Sequence, residues 1–229
     1  MNPEKELCVG IIMDGNRRWA KAKGMNSTEG HKEGLNALER LLKDYDALKK
    51  EAHIAHYIFY AFSTENWKRS PEEVAALMSL FESAMKRFDE LFVGKETYPR
   101  VKFIGNRDSF NFILKNEMNR LEEKTKDGEG TVCLALSYGG RDELIRAIGR
   151  AKNTPLTEQN LGEYLDTKDI PDPDIIIRTG GEHRLSNFLP WQSAYSELFF
   201  LPALWPDMTP ELLKECVAQF EERERRYGA

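Results

Sequence analysis

The chain has 229 residues, a length that suits one domain spanning 1–229, and 33 Lys and Arg against 38 Asp and Glu leave a net charge of −5. With 41% hydrophobic and 10% aromatic residues it is able to bury a core, which excludes disorder as a description of the whole. The acidic balance argues against broad electrostatic binding to nucleic acid or anionic lipid, so any anionic ligand has to be held by local charge.

The first six residues, MNPEKE, lack the basic and apolar regions of a signal peptide, and no apolar run approaches the ~20 residues of a membrane span. Cys8, Cys133 and Cys216 form neither a disulfide framework nor a metal-binding pair, as suits a reducing cytoplasm. Residues 7–13 and the longer run 53–62 (HIAHYIFYAF) are almost continuously apolar, as in strands covered on both faces, and 131–136 and 175–177 look alike. Between the first two runs Leu35, Leu38, Leu41, Leu42 and Tyr45 share one helical face, so strand, helix and strand form a parallel crossover. A long helix over 71–92 follows, with Val74, Leu77, Met78, Phe81, Met85, Phe88 and Phe92 as its stripe, Ser70 as cap, Pro71 in the first turn and Glu73 placed for a capping box. Its stripe suits the core, and also the wall of a groove for a long hydrocarbon. A strand over 101–104 and helices over 110–126, 141–152 and 209–226 complete an α/β fold: a single domain with a mainly parallel central sheet and helices on both faces.

In such sheets ligands bind beyond the carboxyl ends of the strands, and the loops there are unusually polar. Asp14 follows the first run and precedes Gly15. It suits either a helix cap or a Mg²⁺ and phosphate site, and Arg17 and Arg18 weigh toward an anion. Arg178 and Arg184, with Gly180-Gly181 between them and Ser186 beyond, offer two guanidinium forks suited to a diphosphate. Ser63, Thr64, Glu65, Asn66, Trp67 and Arg69 follow the second run, where ordinary turn chemistry and a core-covering tryptophan explain them equally well. His31 at a helix start and Glu197 before an apolar run have structural readings as ready as functional ones. Motifs for a P-loop, a dinucleotide fold, a zinc protease or a serine hydrolase are missing from the sequence.

Read together, Met13-Asp14-Gly15-Asn16-Arg17-Arg18-Trp19-Ala20, Gly30-His31, the segment 60–67 (YAFSTENW) and the segment 177–188 (IRTGGEHRLSNF) resemble the cis-prenyltransferases. Trp191-Gln192, Ala194-Tyr195-Ser196-Glu197-Leu198 and the closing Arg223-Glu224-Arg225-Arg226 extend the likeness over nearly the whole chain. The resemblance implies a homodimer with a hydrophobic product tunnel, condensing isopentenyl diphosphate onto an allylic diphosphate such as farnesyl diphosphate. The implied product is undecaprenyl diphosphate, the lipid carrier for cell-wall polysaccharide, made in the cytoplasm and released by transient contact with the membrane. By the same analogy Asp14 binds Mg²⁺ and assists catalysis, while Gly15, Asn16, Arg17, Arg18 and His31 hold the allylic diphosphate. Arg178, Arg184, Leu185 and Ser186 take isopentenyl diphosphate, and Glu197 completes the metal site. Trp19, Ser63, Thr64, Glu65, Trp67 and Arg69 line the substrates, and Asn66 stands where the proton is removed.

Two departures stand out. Arg17 replaces the family's second glycine in Asp-Gly-Asn-Gly-Arg, adding charge at the expense of backbone freedom, and Ser27 occupies the place of an arginine that often precedes the histidine by four residues. A non-catalytic accessory subunit is the alternative, although such a subunit is expected to lose rim acids and arginines that this chain keeps. A phosphatase with aspartates two apart would need an acid at Asn16.

Overall fold

Every strand runs in the same direction, so the polar loops that follow the strands gather at one rim. The computed structural model describes residues 6–92 and 97–223. In chain order the elements are β1 (Leu7–Ile12), α1 (Asn16–Ala22), α2 (Ser27–Lys43), α3 (Tyr45–Ala52), β2 (Ile54–Ser63), α4 (Pro71–Arg87), β3 (Arg100–Ile104) and α5 (Phe112–Lys124). They continue with β4 (Thr131–Tyr138), α6 (Gly140–Ala151), α7 (Glu158–Leu161), β5 (Ile175–Arg178), β6 (Glu197–Phe200) and α8 (Pro210–Glu222). The sheet order is β3-β4-β2-β1-β5-β6, with all pairs parallel. Because β2 lies on one side of β1 and β5 on the other, the winding reverses at β1, and the rim beyond β1 and β5 is the switch point that such sheets use for ligands.

Alternation along β1 separates two cores. Leu7, Val9 and Ile11 face a large cluster supplied by α2, α3, α4, α5 and α8, while Cys8 and Ile12 face a smaller one with Ile176, Ile170, Phe188 and Leu189. Gly10 belongs to the second face, where a Cβ would lie 2.5 Å from Ile176 Cδ1. The apolar aromatic Phe59, buried in the large cluster, contributes on the order of 2–3 kcal/mol by leaving water. Asn26, Ser70, Asn111 and Thr209 cap α2, α4, α5 and α8 through side-chain oxygens, each worth about 1 kcal/mol.

The expected crossovers are present, and α4 starts at Pro71 after the Ser70 cap as the sequence suggests. The regular α-helix stops at Arg87 and continues as a 3₁₀ turn over Phe88–Phe92. The seven-residue α1, the short α3 and the four-residue β6 carry too little periodicity to stand out in the sequence. Of the last expected helix, residues 224–226 lie outside the described residues.

Candidate active site

The register sets the site. Ile12 pairs with Arg178 across β1 and β5, so the chain leaving β1 at Asp14 emerges beside the end of β5. Gly15 takes φ 115°, a left-handed turn, and a Cβ there would press to 2.8 Å from Leu204. Thr179, fully buried, clamps the Asp14 backbone: its Oγ1 accepts from the Asp14 amide at 3.0 Å and donates to the Asp14 carbonyl at 2.7 Å. The Trp205 amide donates to that same carbonyl at 3.0 Å.

The Asp14 carboxylate then meets two guanidinium groups. Arg178 Nη2 donates to Oδ2 at 2.9 Å, and Arg18 Nη2 stands 3.4 Å from Oδ1. Arg178 is 4% exposed, so its charge acts in a partly dehydrated setting. Its Nη1 donates to Ser186 Oγ at 2.8 Å and to the Arg184 carbonyl, while its buried Nε has no partner among the described residues. Arg18 Nη1 donates to the Gly180 carbonyl at 2.7 Å, linking the first loop to the β5 loop. Arg184 itself is exposed and pairs with Glu182.

Of these groups, Asp14 and Arg18 border a polar pocket of about 610 Å³, lined also by Gly15, Asn16, Arg17 and His31, with Lys21, Ser27 and Arg69 around them. Met13, Asn16 and His31 also line an apolar cleft of about 90 Å³ that runs between α2 and α4 past Leu38, Leu77, Phe81 and Met85. Charge and hydrocarbon surface therefore adjoin. Gly30 and Gly34 allow α2 to approach so closely, since a Cβ at either would lie 2.3 Å from the Asn16 carbonyl oxygen or 2.5 Å from its Oδ1. His31 Nε2 is 3.3 Å from Glu73 Oε1, which also accepts from Arg69 at 3.0 Å, so α2, α4 and the loop after β2 are joined. Burial lowers the His31 pKa below its ordinary value, only partly offset by the Glu73 hydrogen bond.

Other expected site residues have local duties. Asn66 Oδ1 accepts from the Ser63 amide at 3.0 Å in a capping box, which is the turn chemistry that the sequence allowed for. Trp67 donates to Ser137 Oγ at 2.9 Å and packs on Phe62 and Phe110. Leu185 is partly buried against the smaller core. Trp19 is buried, donates to Asp207 at 2.7 Å and is covered by Lys23, so the structure does not bring it to the polar pocket. Nor does it bring Glu197 to Asp14 within one chain. Glu197 pairs with Ile175, three residues before the Arg178–Phe200 pair, about 10 Å back along the strand. Its carboxylate accepts from Arg223, whose guanidinium lies 4.1 Å over Phe199.

A family model described as "Putative undecaprenyl diphosphate synthase" matches residues 12–228. The chain belongs to this prenyltransferase family. It is 43% identical over 224 residues to an isoprenyl transferase of Treponema denticola, covering 96% of both, and 42% identical over 228 residues to that of Thermotoga maritima, covering 96% and 95%. Among solved structures, lavandulyl diphosphate synthase from Lavandula x intermedia, in complex with dimethylallyl diphosphate, superposes with a TM-score of 0.88 at 29% identity, over 96% of this chain and 97% of that one. A probable undecaprenyl diphosphate synthase from Campylobacter jejuni gives 0.80 at 33% identity over the full length of both. The six-stranded parallel sheet is thus the prenyltransferase fold, and the family implies isoprenoid diphosphates as substrates.

Sequence reasoning about this prenyltransferase passed over Thr179 and Asn187. Both stood inside quoted motifs, but their duty is to hold other loops, a contact that spacing does not reveal. Lys21 lines the polar pocket beside Ser27, whereas Lys23 lies over Trp19.

Proposed function

We propose that the enzyme condenses isopentenyl diphosphate in cis onto an allylic diphosphate such as farnesyl diphosphate, to build undecaprenyl diphosphate for cell-wall polysaccharide synthesis. The observation that carries this reading is the junction at Met13, Asn16 and His31 between a pocket of guanidinium groups and an apolar cleft. Ionising an allylic diphosphate needs the leaving anion stabilised and the allylic cation kept from water, and the two chambers divide those tasks.

Gly15, Asn16, Arg17, Arg18 and His31 hold the allylic diphosphate in this reading, while Arg178, Arg184 and Ser186 hold isopentenyl diphosphate. The unpartnered Nε of Arg178 is a further donor toward an anion. Asp14 fits Mg²⁺, a hard cation that takes one or two carboxylates and completes its shell with water and phosphate oxygens. Among the described residues no cluster of three His, Cys, Asp or Glu makes a closed cage. Mg²⁺ would neutralise the departing diphosphate. The carbon–oxygen bond of the allylic diphosphate breaks, the double bond of isopentenyl diphosphate attacks the cation, and the proton then lost passes to a diphosphate oxygen, since the Asn66 carbonyl is already engaged.

At about 90 Å³ the cleft is far smaller than a long polyprenyl chain, so elongation requires the Leu, Met and Phe side chains along it to move aside. Ile145 and Ile148 on α6, with Tyr195 and Leu198 at β6, are exposed and suit a second copy in a homodimer. Among the described residues no helix is long and apolar enough to cross a membrane, which suits peripheral contact for product release. The rim retains Asp14, Arg18 and Arg178, so nothing favours an accessory-subunit role.

The test is incorporation of labelled isopentenyl diphosphate by purified protein with farnesyl diphosphate and Mg²⁺, followed by chromatography of the products. A ladder ending at C55, abolished by EDTA, is the expected result. A different end point overturns the product, and no incorporation by folded protein overturns the activity.

A further inference from the structure

We infer that Asn187 is a positioning residue that sets the isopentenyl diphosphate subsite by tying three rim loops to one another. The inference rests on the assignment of Arg178 and Ser186 to that subsite.

The segment 186–189 is unusual in its backbone. Ser186, Asn187 and Leu189 take φ of 51°, 66° and 48°, a left-handed region that glycine occupies freely and asparagine better than most other residues. Such a turn persists only if its surroundings hold it. Phe188, fully buried, anchors it by stacking on Tyr60 at 4.7 Å and meeting Tyr138 edge-on. The Tyr60 hydroxyl donates to the Ser186 carbonyl at 3.3 Å.

Asn187 joins this turn to both neighbouring loops. Its carbonyl accepts from the Gly140 amide at 2.8 Å and its Oδ1 from the Arg141 amide at 3.0 Å, so it caps α6 from a distant part of the chain, where Gly139 has no side chain to do so. Its Nδ2 and the Thr64 Oγ1 of the loop after β2 both border Gly139, and its amide is among the groups that lower the pKa of the adjoining Glu65. Burial raises the Glu65 pKa, but hydrogen bonds from its own amide, Thr64, Ser63 and Asn187 outweigh this and hold it below the ordinary carboxylate value. Only glycines admit this approach: a Cβ on Gly139 would lie 2.8 Å from both Asn187 Nδ2 and Thr64 Oγ1, and one on Gly140 would lie 2.0 Å from Pro190 Cδ. The next residue along the turn is Ser186, whose Oγ accepts from Arg178. The turn after β5, the start of α6 beyond β4 and the Thr64–Glu65 segment beyond β2 therefore meet around one side chain, one residue away from the Arg178 partner.

Asn187→Gly keeps the left-handed backbone without strain and removes both side-chain links. It should raise the KM for isopentenyl diphosphate about tenfold, the loss expected for one charge-assisted hydrogen bond, while the KM for farnesyl diphosphate stays near wild type and the Tm falls only by the few degrees that go with losing one helix cap. Asn187→Asp keeps the acceptor for Arg141 but turns the donor to Glu65 into a like charge. Its defect should be relieved when Glu65→Gln is added, because the new amide supplies the lost donor. Calorimetric binding of isopentenyl diphosphate to each protein should follow the same order. Equal KM values for wild type and Asn187→Gly, or multiplicative effects of N187D and E65Q, would overturn the inference. A wild type that binds isopentenyl diphosphate but forms no product would overturn the proposed reaction alone, with the binding order still testing Asn187. A wild type that does not bind it removes both.

Discussion

The polar pocket and the apolar cleft share Met13, Asn16 and His31 as a common wall, yet they are assembled in opposite ways. The pocket presents Asp14, which Arg178, 164 residues away, holds from behind, with directed hydrogen bonds through Thr179, Ser186 and Gly180 fixing the two loops. The cleft draws mostly on stripes of neighbouring helices, whose Leu, Met and Phe side chains hold one another by contact alone. Directed bonds make a rigid anion site, and undirected contacts make a wall that yields. The proposed repetition of one reaction on a lengthening hydrocarbon would need the first property at the reacting end and the second behind it.

Substitutions at the pocket should therefore strike rate or affinity, and substitutions at the cleft should strike product length. Asp14→Ala should show the largest effect, lowering turnover about 10²–10³-fold, the usual loss for removing one preorganised electrostatic partner, with the circular dichroism of the fold intact. Unchanged turnover would remove Asp14 from the chemistry. Next is Arg178→Gln, expected to raise the KM for isopentenyl diphosphate about 10–100-fold and the KM for farnesyl diphosphate much less, because each lost bidentate contact is worth about 1.4–2.8 kcal/mol. Equal changes in both constants would blur the two subsites. Ala84→Phe narrows the cleft and should shorten the product ladder while the first condensation keeps its rate, at an overpacking cost of about 1–3 kcal/mol in thermal stability. A slowed first condensation with unchanged length would contradict the division.

The smallest effect is expected at the shared wall. Burial holds the His31 pKa below 6.5, so the unfolded chain takes up the proton more readily than the folded one just below that pH. Stability is then full above pH 6.5 and declines as the pH falls through the window beneath it. Wild type should lose more Tm between pH 7.5 and 5.5 than His31→Gln does. Equal losses would show that His31 titrates as it would in water.

Much of this was legible from the letters. The continuous apolar runs identified β1, β2, β4 and β5, and the spacing of Val74, Leu77, Phe81 and Met85 marked α4 together with its cap. The rim loops were found from the rule that parallel sheets bind at their carboxyl ends, and their motifs pointed to the family. Legibility failed where a residue acts on something remote. Trp19 stands in a rim motif yet turns to Asp207, and Glu197 follows the rim loop in sequence yet begins β6 at the other end of the sheet. Asn66 stands where the resemblance implied proton removal, and the structure gives it the hydrogen bond of a turn.

Composition, periodicity and local turn chemistry were enough to specify a parallel α/β sheet with a charged rim, because strand alternation, helical stripes and caps are short-range consequences of side-chain shape and polarity. The partners at that rim were decided in three dimensions. Strand register placed Arg178 beside Asp14, glycines at 30, 34, 139 and 140 let backbones and side chains approach, and Asn187 found its hydrogen-bond partners at the start of α6, far along the chain. Hydrogen bonds are directional and reach only a few ångströms, so which residues share one depends on the packing of the whole chain.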